Sequence, residues 1–314
     1  VSERWQRHTI DAEEAGSTLQ DVLTGVMGVS RRRIQKLTRS RGILLGGRPA
    51  FLGRKVRAGD VVSVRATDAE GPTLDPVEMP LSILFEDEAL LVVDKPAGLL
   101  VHPTAPHHRA TLAHGIAHHL AARGESARVR PVHRLDRDTS GLLLVAKSAM
   151  AHAALDRQLR DGGIRREYLA WVAGRPAATE GRIDAPVGRK PGEPRLRAVR
   201  EDGDPAATRY RVAGAGERGA VLEIELETGR THQIRVHLAH LGHPILGDIA
   251  YGGPRIQRLS RAALHAERLT FVHPVSGEAV RFDAPVPEDL AWLGLPGFAP
   301  DQDRDRSAER NDAR

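Results

Sequence analysis

Three short stretches concentrate groups that could do chemistry. Asp94-Lys-Pro-Ala-Gly98 follows an apolar run, and its Pro-x-Gly sets a tight turn. His133-Arg-Leu-Asp-Arg-Asp-Thr-Ser-Gly141 packs polar and charged residues immediately ahead of Leu142-Leu-Leu-Val-Ala146, and Gly229-Arg-Thr-His-Gln-Ile-Arg235 does the same at the entrance of a helical pattern. A carboxylate such as Asp136, between Arg134 and Arg137 and open to a third cation such as Arg230, is kept ionised by opposite charge. An ionised, oriented, partly desolvated Asp is a nucleophile or a base. A structural ion-pair cluster would use the same residues, and at this level both readings stand.

Other patterns fail on their context. Gly214-Ala-Gly-Glu-Arg-Gly219 spells the dinucleotide fingerprint, but Val221 to Glu227 follows with strand alternation where a helix is required, so a hairpin loop is expected. Asp136-Arg-Asp138 has the spacing of aspartate phosphatases without the apolar strand that chemistry needs before it. His114 and His118 stand four apart, yet Gly115 occupies the place of the general-base Glu of a helical zinc protease.

The chain has 314 residues, enough for about two domains, and no Cys, which removes disulfides, thiolate metal sites and thiol nucleophiles. The apolar runs fall far short of the about 18 residues a membrane helix needs, and the polar opening Val1 to Arg7 does not read as a secretory signal, so no membrane partner and a cytoplasmic location are expected. Net charge is +5, a modest excess whose distribution matters more than its size.

That distribution is uneven. Leu19, Val22, Leu23 and Val26 form one helical stripe. A second helix is predicted from Ser30 to near Gly42, with Ile34 and Leu37 as its apolar positions and Arg31, Arg32, Arg33, Lys36, Arg39 and Arg41 on the remainder. Ile43 to Arg48 reads as strand, turn, strand, and Arg57 to Val64 as a turn feeding a strand. Such a block of like charge calls for a polyanion. Thr67 to Pro80 is acidic and proline-broken, a linker. Beyond it, helices are predicted at Thr111 to Ala122, Ser148 to Arg160 and Thr231 to Leu241 among many strands, giving an α+β domain on a mostly antiparallel mixed sheet with flanking helices. From Pro300 the sequence is polar and expected to be disordered.

The N-terminal pattern resembles the S-four-like RNA-binding domain through Ser30-Arg31-Arg32, Gly42-Ile43, Gly46-Gly47-Arg48 and Gly59-Asp60. His133-Arg-Leu-Asp136-x-x-Thr139-Ser-Gly141, Lys95-Pro-x-Gly98, Gly229 to Arg235, Gly242-His-Pro-Ile-Leu-Gly-Asp248 with Tyr251-Gly252, Leu264-His-Ala266 and Ala284-Pro-x-Pro287 resemble, in order, the motifs of RluA-like pseudouridine synthases. The resemblance implies an enzyme that isomerises uridine to pseudouridine in structured RNA. Large-subunit ribosomal RNA is the expected target. Transfer RNA, or a non-catalytic role in ribosome assembly, is the alternative. It implies Asp136 as nucleophile, Arg230 as its basic partner and Tyr168 as the aromatic that packs on the uracil and serves as base for the carbon-5 proton. Arg134, Thr139 and Arg235 would bind the RNA, helped by Arg31, Arg32, Arg33, Lys36 and Arg48 of the basic segment. No cofactor and no metal are implied, and a monomer is expected. The organisation expected is an RNA-binding domain at 1–67, a linker at 68–80, a catalytic domain at 81–298 and a tail at 299–314.

Overall fold

The computed structural model describes residues 4–29, 31–66, 74–105, 107–125, 128–216 and 219–293, without the side chains of Arg4, Arg31, Arg32, Arg33 and Ala66. The expectations for Ser30, for the side chains of Arg31 to Arg33, for residues 68–73 of the linker and for the C-terminal tail lie outside the described residues.

Residues 4–66 carry their own sheet and core. Strand β1 (Arg4–Thr9) pairs antiparallel with β4 (Val61–Ala66), which continues to β2 (Ile43–Leu45) and β3 (Arg48–Pro49). Thr18 caps α1 (Leu19–Asp21) in a reciprocal box with Asp21. The helix then widens, with Met27 N–H bonding back to Val22 O. This wider turn rotates Val26 off the stripe, leaving it 45% exposed where the 3.6-residue period places it inside. Helix α2 (Arg31–Arg39) buries Ile34 and Leu37 as expected. Gly46 and Gly47, both at positive φ, turn β2 into β3. Leu19, Leu23, Ile34, Leu37, Ile43, Val62 and Val64 close a core separate from those below.

Beyond residue 74 a ten-stranded mixed sheet dominates. Its strands are β5 (Ser82–Glu86), β6 (Leu90–Lys95), β7 (Arg130–Pro131), β8 (Ser140–Ala146), β9 (Arg165–Ala173), β10 (Glu180–Asp184), β13 (Ala207–Gly216), β14 (Gly219–Leu226), β15 (Leu264–Val272) and β16 (Ala279–Asp283); β11 (Val187–Lys190) and β12 (Glu193–Val199) pair separately. Within this sheet β8 and β15 run parallel and the other pairs antiparallel. Helices α3 (Leu112–Ala122), α4 (Ala149–Arg160), α5 (Gln233–His240) and α6 (Glu288–Ala291) pack around it, giving the α+β class.

Strand β8 is buried along its whole length because it feeds two cores. Leu143 and Val145 join Leu112, Ile116 and Leu120 of α3, while Leu142, Leu144 and Ala146 join Ala151 and Leu155 of α4. Period-two alternation thus puts a helix on each face of the strand. Gly214, Ala215 and Gly216 end β13 and pair antiparallel with Val221, Ala220 and Gly219 of β14, so a strand stands where the dinucleotide fingerprint requires a helix. His114 caps its own helix through Thr111 Oγ1, 2.7 Å away.

Candidate active site

The loop between β7 and β8 carries Asp136, and buried cations fix it from two sides. Lys95, wholly buried at the end of β6, donates to Pro96 O, Leu99 O and Arg137 O at 2.8–2.9 Å. Burial pushes its ammonium down to about 8, with Asp138 opposing the shift, and three carbonyls match its three donors. Arg261 donates to Asp138 O at 3.2 Å and is held by a bidentate pair with Asp289 at 2.6 and 2.8 Å. The carbonyls of the two residues after Asp136 are thus both anchored. Arg137 Nε ties the loop to Gly98 O at 3.0 Å, and Thr139 N–H closes it on Asp136 O at 3.2 Å. Gly141, at φ +107°, then lets β8 slide under β15: a Cβ there would lie 2.1 Å from Ala266 O.

The N-terminal turn of α5 presents two side chains to the carboxylate. Arg235 Nη1 lies 3.3 Å from Asp136 Oδ2, and His232 Nε2 lies 4.0 Å from Oδ1. Arg235 is itself aimed by buried Asp248, whose two oxygens take its Nε and Nη2 at 2.7 Å each, and by the Tyr251 ring 4.7 Å beneath it. Burial alone would lower the Arg235 pKa; Asp248 and then Asp136 reverse that and raise it. His232 sits in the left-handed region at φ 59°, with Nδ1 2.7 Å from Tyr251 Oη. That oxygen in turn accepts Arg197 N–H at 2.9 Å. Burial lowers the His232 pKa despite Asp136, so the ring is neutral near pH 7.

A cavity of about 800 Å³ opens beside Asp136, within the size range of ligand pockets. Arg134, Arg137, Arg160, Arg166 and Arg230 line it against two carboxylates, Asp136 and Glu227, so its field favours a polyanion. Tyr168 lines its floor from β9, 5% exposed, and burial raises the pKa of its phenol. His133, beneath, accepts Leu144 N–H on Nε2 at 3.2 Å, and burial pushes its pKa down to about 3.

The structure brings Asp136, Tyr168, Arg134 and Arg230 to one cleft, with Arg235 behind Asp136. Two assignments change. Arg230 is exposed, with its Nε donating to Pro205 O at 3.1 Å; the cation on Asp136 is Arg235. Arg230 precedes α5 and bonds Pro205 O, whereas Arg235, the third residue of α5, reaches the Asp136 loop. Thr139, expected to bind RNA, is 3% exposed and does not line the cavity, because it stands immediately before buried β8; its N–H holds the loop through Asp136 O. Lys36 and Arg48 are exposed on residues 4–66. Sequence reasoning assigned no role to Lys95, Arg261, Asp248, His232 or Tyr251. The motifs Lys95-Pro-x-Gly98, Gly229 to Arg235, Gly242 to Asp248 and Tyr251-Gly252 already contained four of them, but only the fold shows what they touch.

Comparison with known proteins agrees with this geometry. The family model for RNA pseudouridylate synthase matches residues 89–240. An uncharacterized RNA pseudouridine synthase, YhcT of Bacillus subtilis, is 40% identical over 286 residues, covering 90% of this chain and 94% of that protein. Ribosomal large subunit pseudouridine synthase D of Xanthomonas campestris is 42% identical over 277 residues, covering 84% of this chain and 83% of that protein. Among solved structures, human RNA pseudouridylate synthase domain containing 1 superposes with a TM-score of 0.59 at 27% identity, over 77% of this chain and 96% of that one. With the motifs, the fold and these relatives in agreement, the chain belongs to the RluA-like family of RNA pseudouridine synthases.

Proposed function

We propose that the protein isomerises uridine to pseudouridine in large-subunit ribosomal RNA, with Asp136 as the nucleophile. The observation that carries this is the hold on Asp136: Arg235 lies 3.3 Å from its Oδ2, and the same aspartate lines the arginine-rich cleft. The N1–C1′ bond of the target uridine breaks, the uracil turns, C5 bonds to C1′, the C5 proton leaves and N1 gains one. Atoms and electrons balance without a co-reactant. The target base must leave its stack to reach a side chain at the bottom of a cleft, at a cost of about a few kcal/mol that is least in loops. Arg134 and Arg230 at the rim would hold the phosphates of the extruded nucleotide. Tyr168 supplies the face against which the uracil packs; the raised pKa keeps its phenol protonated and works against its service as a base.

The large-subunit RNA reading is supported by the Xanthomonas campestris relative, a ribosomal large subunit pseudouridine synthase by name. Residues 4–66, with their own sheet, core and basic helix, would be the S-four-like unit that supplies sequence-independent phosphate contacts, joined by a linker to a catalytic unit at 81–298. The test is tritium release from carbon-5-labelled transcripts. Release from large-subunit RNA, with little from a transfer RNA pool, is expected; the reverse preference would reassign the substrate.

A further inference from the structure

Phe51 is 89% exposed, in a chain that has only five Phe. It stands on the segment between β3 and β4, and that segment is pinned. Arg54 N–H closes a turn onto Phe51 O at 3.0 Å; Gln20 N–H bonds Leu52 O at 2.9 Å and Leu19 N–H bonds Arg54 O at 2.8 Å. On the far side Val56 N–H bonds Ser17 O at 3.0 Å, and Leu52 packs on the local core. The backbone therefore holds the ring out in water while its neighbour is tucked in.

The segment that carries that ring is cationic. Arg48, Arg54, Lys55 and Arg57 are all exposed, and none makes an ion pair among the described residues. The one carboxylate of residues 46–60, Asp60, is committed to Arg57 N–H at 2.9 Å. On the solvent face of the large sheet, by contrast, Arg165, Arg182, Arg209 and Arg211 each meet a glutamate. A protein partner would favour a continuous apolar patch, whereas here one ring is set among glycines and unneutralised cations. An aromatic face beside phosphate-binding side chains is the arrangement that takes an unpaired nucleotide.

We infer that Phe51 is a stacking platform for an unpaired base of the RNA substrate, with Arg54 and Lys55 holding the flanking phosphates. The inference rests on the reading that the substrate is RNA and adds a contact point remote in sequence from the catalytic loop. It is tested with the full chain and a large-subunit RNA transcript, titrated at several salt concentrations. Phe51→Ala should weaken binding about 5- to 100-fold without changing the salt slope, since stacking releases no counterions. The double variant Arg54→Ala/Lys55→Ala should lower the slope by about 1.5. Phe51→Trp should keep affinity, with its fluorescence quenched on binding. Equal affinity of wild type and Phe51→Ala, with tritium still released by the wild type, would overturn the platform and leave the RNA reading intact. Absence of tritium release from any RNA by the wild type would overturn both.

Discussion

Arg235 bridges two carboxylates of unlike burial: its Nη1 lies 3.3 Å from half-buried Asp136, while Nε and Nη2 close a 2.7 Å fork on Asp248, which is 3% exposed. The fork fixes the plane of the guanidinium before substrate arrives, so its remaining nitrogen holds Oδ2 of Asp136 in one orientation. The stronger pair serves the weaker one.

This arrangement predicts a contrast between two arginines of the same motif. Arg235→Lys, which cannot reproduce the fork, should lower the single-turnover rate about 100-fold or more. Arg230→Ala, which removes an exposed cation at the cleft rim, should act mainly on RNA affinity and lower the rate less than about tenfold. Thermal midpoints measured alongside separate unfolding from slow chemistry. A larger rate loss in Arg230→Ala would return the role to Arg230.

Lys95 should matter to the fold as well as to the site. Lys95→Met leaves the carbonyls of Pro96, Leu99 and Arg137 each short of a donor inside the protein. A loss of about 3 kcal/mol is expected, together with slower turnover as the Asp136 loop loosens. Urea denaturation measures the first and single-turnover tritium release the second. A variant of wild-type stability would show that the loop does not depend on this anchor.

Two buried histidines set the acid limit. Burial pushes His133 down to about 3 and His265 down to about 4, from an ordinary 6.5. Above pH 6.5 both are neutral in the folded and unfolded chain, and the fold carries no penalty. As pH falls from 6.5 towards 4 the unfolded chain binds protons that the fold excludes, so stability falls through that window. Each histidine should cost about 2 kcal/mol between pH 7 and pH 5. Urea midpoints at the two pH values check this, and a flat profile would place the histidines in a more polar environment than the structure shows.

Much of this site was legible because sequence patterns record burial and backbone geometry. The unbroken apolar run of β8 announced a strand covered on both faces, and the polar cluster ahead of it announced the loop that carries Asp136. The partner of Asp136 was not legible. Arg230 and Arg235 lie in the same motif, and the choice depends on which way α5 leaves its turn, which is set by a left-handed His232 that no periodicity predicts. Asp248 is 13 residues from Arg235 in sequence, and only chain reversal brings them together. Strand β1 was missed because Arg4–Thr9 has no apolar face; it pairs at an edge, with Trp5 under Arg65. Val26 left its expected stripe because the helix changed pitch, a deviation hidden from a fixed 3.6-residue template.

The central claim is that Asp136 performs the chemistry. Asp136→Asn keeps the size of the side chain and removes its charge, so the substrate should still bind. Single-turnover assay of the purified variant on carbon-5-tritiated large-subunit RNA should show affinity within a few-fold of wild type and tritium release reduced to background. Release at the wild-type rate from that variant would contradict the account and remove Asp136 from the mechanism.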